Sequence, residues 1–219
     1  VTQDVKARIL AQLGATPSPT RDASRVYAWL VLPSSVIVGT ALFFAFDGPK
    51  HGQGRALWFY VASALSWSLV AALSVWGALM RGRSAIGRPR TWLLALAFGT
   101  PAALFAMMFA FAVVHPEVTL VHPERLGLKC LGLTVAAAAF PLVALIMLRR
   151  GSDPVHPVAT GAALGSACGA SAGVMVEMWC PVAAPRHVAI GHILPIIVMV
   201  IVGALLGGRL IAMRPRRRS

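Results

Sequence analysis

Three side chains at the ends of two apolar runs are the ones best suited to chemistry: Cys130, Glu177 and Cys180. Cys180 follows Glu177 by three residues and closes one run, while Cys130 opens the run before it. If both runs cross a bilayer, the two thiols fall at one membrane level, on helices joined by a short hairpin. Such thiols can form a disulfide in an oxidising compartment once their Cα atoms approach within about 7 Å. The spacing alone is equally compatible with redox or metal-responsive chemistry and with inert structural thiols, because it says nothing of thiol acidity. Glu177 lies within an apolar run, where a carboxylate is costly unless paired or wetted, and Lys129, Arg186 and His187 are its candidate partners. A structural ion pair or a protonated carboxyl is one reading of it, and a sensing or ion-coupling role is the other. The third cysteine, Cys168, falls mid-run with no thiol at its depth and is expected to fill apolar space.

Other donors for a soft cation are scattered over the same side: His51, His115, His122, His187 and His192, with Met175 and Met178. No H-x-x-x-H, H-E-x-x-H or C-x-x-C spacing gathers them, so the sequence predicts no defined metal site and no cofactor. A Walker loop, a G-x-G-x-x-G, a G-x-S-x-G and any cluster of intramembrane carboxylates are also missing, and the expectation is a protein that is not an enzyme.

The elements that must position these residues follow from composition. The chain has 219 residues, 58% hydrophobic and 12% charged, more apolar surface than a water-soluble domain of this size could cover. Apolar runs of spanning length occur at 27–46, 56–80, 92–114, 126–148, 158–179 and 190–212, each near the twenty or so residues that cross a bilayer core. The predicted fold class is therefore all-α, a polytopic integral membrane protein with six transmembrane helices. The segments between the runs carry Gly, Pro and Asp and are too short to fold alone. Fifteen of the 20 Lys and Arg residues fall on the side of the two termini, which predicts an N-in/C-in orientation. The net charge of +13 is thereby read as membrane topology, with no direct nucleic-acid binding.

Three regions result: a cytoplasmic segment at 1–26, a transmembrane domain at 27–212 and a basic tail at 213–219 that meets anionic lipid headgroups. No cleaved signal peptide is expected. In the first region Val5, Ile9 and Leu13 recur at intervals of four with Leu10 beside them, which predicts a short amphipathic helix; Gly14 ends it and a Pro/Ser linker follows. In the fifth run Gly161, Gly165, Gly169 and Gly173 form a flat stripe on which another helix can lie, and Gly203 and Gly207 repeat the spacing in the sixth. The stripe serves contact between those two spans or a homodimer. Extended by one turn it reaches Glu177, which is thereby expected to face the bundle.

This layout of a tethered helix, a Pro/Ser linker and six spans resembles the NrsF-type family of membrane-bound anti-sigma factors, and within it most the light-response anti-sigma factors of myxobacteria. The likeness is most specific in Ala159-Thr160-Gly161-Ala162-Ala163-Leu164 with Cys168-Gly169, in Glu177-Met178-Trp179-Cys180-Pro181 and in Gly207-Gly208-Arg209-Leu210. Cys130 and Cys180 match the family's paired cysteines. The resemblance implies a protein of the bacterial inner membrane that sequesters an extracytoplasmic-function (ECF) sigma factor and releases it on a stress signal. The sigma-binding residues would then be Val5, Ile9, Leu10 and Leu13, and the sensor residues Cys130, Cys180 and Glu177. For a light-responsive member the resemblance implies photosensitised singlet oxygen as the signal and carotenoid synthesis as the regulon. A small transporter or ion-coupled permease, suggested by Glu177 and by prolines at 101, 141 and 195 inside runs, is the competing reading.

Overall fold

The computed structural model describes residues 57–79, 89–119, 126–149 and 155–212, together with single positions between 30 and 41. The N-terminal segment with Val5, Ile9, Leu10 and Leu13, its linker and the basic tail lie outside the described residues. About 91% of what is described is helix, and no strand occurs among these residues, so the fold is all-α. Among the described residues, five helices are long and apolar enough to cross a membrane: α1 (Leu57–Leu79), α2 (Arg90–Val114), α3 (Leu128–Leu148), α4 (Pro157–Trp179) and α5 (Pro185–Ile211). The described positions between 30 and 41 are helical as well, and Gly39 among them rests against the Met175 side chain of α4.

Each outer helix buries one stripe at helical spacing. In α1 it is Phe59, Ser63, Trp67, Ala71, Ser74 and Ala78; in α3 it is Cys130, Thr134, Ala138, Leu142 and Leu145. The opposite faces carry exposed Leu, Phe and Val, the pattern that lipid contact demands in a bundle. Helix α4 differs. Within its apolar window 83% of residues are buried, against 28% in α1, so α4 is the axle around which the others pack.

The axle is thin because of its composition. A Cβ added at Gly161 or Gly165 would collide with the backbone carbonyls of Gly203 and Met199 on α5, and one at Gly169 would come 3.0 Å from the Ile196 Cα. Helices α4 and α5 therefore touch backbone to backbone, where dispersion acts over a long seam. At Gly173 the stripe turns to another neighbour, and the Trp67 ring of α1 fills the space a side chain would need. Hydroxyls in the bundle bond internally, as they must without water: Ser166 Oγ donates to the Leu96 carbonyl of α2 at 3.2 Å, and Thr134 Oγ1 to the Cys130 carbonyl at 2.9 Å.

Helix α5 starts five residues before the apolar run at 190–212. Arg186 and His187, read from sequence as loop, occupy its first turn. Pro185 takes the first helical position, where its missing N–H costs nothing, and His187 is only 3% exposed. The helix then widens into a π-turn at Ala189–Ile193 before continuing as α-helix from Leu194.

Candidate functional site: a buried thiol–imidazole cluster

The start of α3, the end of α4 and the start of α5 meet at one end of the bundle. Each supplies part of a cluster because consecutive helices run antiparallel. Cys130 comes from the first turn of α3 and projects along its inward stripe. Gly127 caps that helix with φ +79°, a conformation glycine adopts without a steric cost. A Cβ there would stand 2.8 Å from the Gly191 Cα and 2.9 Å from the His187 carbonyl, so paired glycines press the start of α3 onto the π-turn of α5.

Cys180 ends α4, and its N–H closes the helix on the Val176 carbonyl at 2.8 Å. Its sulfur lies 3.7 Å from that of Cys130 and 3.1 Å from His187 Nε2, which is itself 3.6 Å from the Cys130 sulfur. The two thiols are 3% and 2% exposed, and neither is in a disulfide. One of the two is poised to carry charge. The Cys180 thiol, in the loop beyond α4, is held well below its ordinary pKa, above all by the hydrogen bond that Cys130 donates to it; burial opposes this, and His187 and His192 reinforce it.

Glu177 points into the bundle, as its place on the stripe predicts, and is wholly buried. Its Oε2 stands 3.0 Å from Nδ1 of His192, also wholly buried. The two groups are within ion-pair range without being aligned as a hydrogen bond, and Nε2 of His192 has no hydrogen-bond partner. Lys129, one of the partners nominated for Glu177, lays its ammonium 4.7 Å above the Trp179 ring, a cation–π contact. A cleft of about 430 Å³ opens beside the thiols, with Gly127, Lys129, Trp179, Pro181 and His187 in its wall, so small solutes can reach the sulfurs.

The structure thus brings together Cys130, Cys180 and Glu177 and adds two residues that spacing arguments did not assemble, His187 and His192. Their rings are 5.5 Å apart, and one donor atom from each of Cys130, Cys180, His187 and His192 lies within 4.8 Å of all the others. Five residues of α-helix turn through about 500°, which would leave the two histidines about 140° apart around the axis. The π-turn between them undoes that divergence, since its wider i→i+5 turn brings residues five apart nearly into line. Cys168 lies elsewhere, wholly buried among Ala138, Leu142 and Leu164, away from any of these groups. The helix-packing glycines 161, 165 and 169 lie toward the opposite end of α4 and take no part in the cluster.

Two thiols, two imidazoles and a carboxylate gathered beside a cleft can lose electrons as a dithiol or hold a cation. No curated protein and no solved structure matches the chain. A family model does: the family described as NrsF, negative regulator of sigma F, matches residues 10–212. That match takes in all five helices and the whole thiol–imidazole cluster, and by it the chain belongs to the NrsF family of negative regulators of a sigma factor.

Proposed function

We propose that this protein is a membrane-bound anti-sigma factor that holds an ECF-type sigma factor against the bacterial inner membrane and releases it when the Cys130–Cys180 end of the bundle is modified. The observation that carries the reading is the family match, which runs from residue 10, inside the N-terminal segment, through the buried cluster. The sigma factor docks on Val5, Ile9, Leu10 and Leu13 of the tethered helix. The fifteen-to-five split of basic residues supports N-in/C-in, which sets the cluster on the outer side and the docking helix on the cytoplasmic side.

An oxidant of the peroxide class would take two electrons and two protons from the two thiols, joining the sulfurs and leaving water. Closing the sulfurs from 3.7 Å to a bond of about 2.0 Å draws the start of α3 toward the end of α4. Singlet oxygen formed in the bilayer under light reaches the same groups, and carotenoid genes are the regulon that fits such a signal. The seam between α4 and α5 carries the shift across the membrane.

Copurification tests the docking model. Full-length protein in native membranes should retain its sigma factor, and deletion of residues 1–20 should abolish retention while the remaining helices still insert. Unchanged retention by the truncated chain would refute docking on this segment, as would a truncation that loses only insertion.

A further inference from the structure

We infer that Cys130, Cys180, His187 and His192 form a binding site for one tetrahedral, thiophilic divalent cation of the Zn²⁺ type, with Glu177 as the carboxylate that orients His192. The role of this site as the input rests on the function proposed above; its existence as a site does not.

The distances carry the inference. Tetrahedral bonds of about 2.3 Å to sulfur and about 2.0–2.1 Å to nitrogen set two sulfurs about 3.8 Å apart and a sulfur and a nitrogen about 3.5 Å apart. The sulfurs of Cys130 and Cys180 stand at 3.7 Å, and His187 Nε2 stands at 3.6 and 3.1 Å from them. Those three distances lie within about 0.4 Å of the edges of one tetrahedral face, and the fourth donor lies within 4.8 Å of the other three. The fourth corner falls to His192, whose Nε2 is buried with no hydrogen-bond partner while its Nδ1 faces Glu177 at 3.0 Å. A ligating histidine presents one nitrogen to the metal and the other to a carboxylate in just this manner, and the carboxylate fixes the tautomer and the ring plane.

Charge selects the cation. On binding, any proton still held by a sulfur passes to solvent, each sulfur forms a metal–sulfur bond as thiolate, and no electron changes hands. Two thiolates, two neutral imidazoles and a divalent cation sum to zero, which a buried site tolerates, whereas a monovalent ion would leave a net negative charge beside Glu177. An S₂N₂ tetrahedron suits Zn²⁺ in ligand type and geometry. The cleft beside Cys130 and Cys180 supplies the path of entry. A bound cation and a disulfide use the same sulfurs, so occupancy protects the pair from oxidation, and oxidation ejects the cation.

The full-length protein, purified in detergent with a reductant and stripped of metal, is titrated with Zn²⁺ against a chromogenic chelator and, separately, with Co²⁺ under visible spectroscopy. One equivalent of Zn²⁺ is expected, with a tetrahedral Co²⁺ spectrum carrying a thiolate charge-transfer band. Cys130→Ser and His192→Ala should each weaken binding more than Glu177→Gln, which should lose about 10–100-fold, while Glu177→Asp recovers part of that loss. Cys168→Ser serves as the control that leaves affinity unchanged. The wild-type Co²⁺ spectrum needs no variant, so a misfolded mutant does not blunt the test. Substoichiometric binding, an octahedral spectrum, full affinity in the histidine variants, or uptake of Cu⁺ without Zn²⁺ would overturn the assignment. Sigma-factor capture is scored separately: a chain that binds the cation but captures no sigma factor keeps the site and loses the proposed function, and the reverse outcome does the opposite.

Discussion

Along α4, two stretches of one helix meet the same neighbour by opposite means. From Gly161 to Gly169 the helix has no side chains on its α5 face, and the two backbones touch. From Glu177 to Cys180 the same pair of helices meets through a carboxylate, a thiol and two imidazoles, all buried. The seam has nothing that reacts and nothing that can rearrange, since its contacts are main chain on main chain. The cluster has little but reactive groups, with its four donor atoms within 4.8 Å of one another. Read together, the first stretch makes the second possible: a rigid seam fixes how α4 and α5 diverge, and the divergence sets the spacing of the four donors.

Filling the seam is expected to have the largest effect. In Gly165→Val the new Cβ would occupy the space of the Met199 carbonyl, and no rotamer relieves a clash with backbone. Helices α4 and α5 must separate, and the expected cost is about 3 kcal/mol or more, at the upper end for overpacking. Unfolding in mixed micelles should show it, and Cys130–Cys180 crosslinking by a short thiol-specific reagent should fall in parallel. Wild-type crosslinking in a chain so destabilised would mean that the cluster does not depend on the seam.

A smaller and more local change separates the cluster from its own support. Gly127→Val forces a branched side chain into the left-handed region and against Gly191 and the His187 carbonyl. The conformational part costs roughly 1–2 kcal/mol. Because the clash lies between α3 and the π-turn, Cys130 should move away from Cys180 and His187 while the seam stays intact. Reduced crosslinking with a smaller loss of stability than in Gly165→Val is the expected result. Loss of stability equal to that of Gly165→Val would show that the two regions are not separable.

These two stretches were not equally legible in the sequence. Four glycines at intervals of four announce a seam, because small residues have one main use on a buried helix face. Extending the same periodicity placed Glu177 in the interior, and the hairpin between two runs set Cys130 and Cys180 at one depth. The histidines were hidden for a physical reason. His187 and His192 are five apart, a spacing that diverges on an α-helix, and only the π-turn at Ala189–Ile193 aligns them. A π-turn depends on tertiary packing, here the glycine contact with α3, and leaves no periodic signature in a single chain. The helix start was misread because Arg186 and His187 are polar, although Pro185 is a start signal of the ordinary kind. Glu177 meets His192 at 3.0 Å, a residue outside the expected partners Lys129, Arg186 and His187.

The slightest expected effect comes from the cysteine that lies within the first stretch. Cys168 is wholly buried one residue from Gly169, packed against apolar side chains of α3 and its own helix. Its sulfur lies outside the four-donor cluster and beyond the cleft that exposes the other two. Enclosure among apolar side chains keeps reagents from the thiol. Cys168→Ala removes one heavy atom from a packed interior, a loss of about 1 kcal/mol on the scale of one methylene. Alkylation in native membranes should therefore modify Cys130 and Cys180 and spare Cys168, and all three should react once the chain is unfolded. Release of the sigma factor by oxidant should be the same in Cys168→Ala as in the wild type and absent in Cys130→Ala. If Cys168→Ala altered release as much as Cys130→Ala does, the division of α4 into an inert seam and a reactive end would fail, because the seam would then contain part of the sensor.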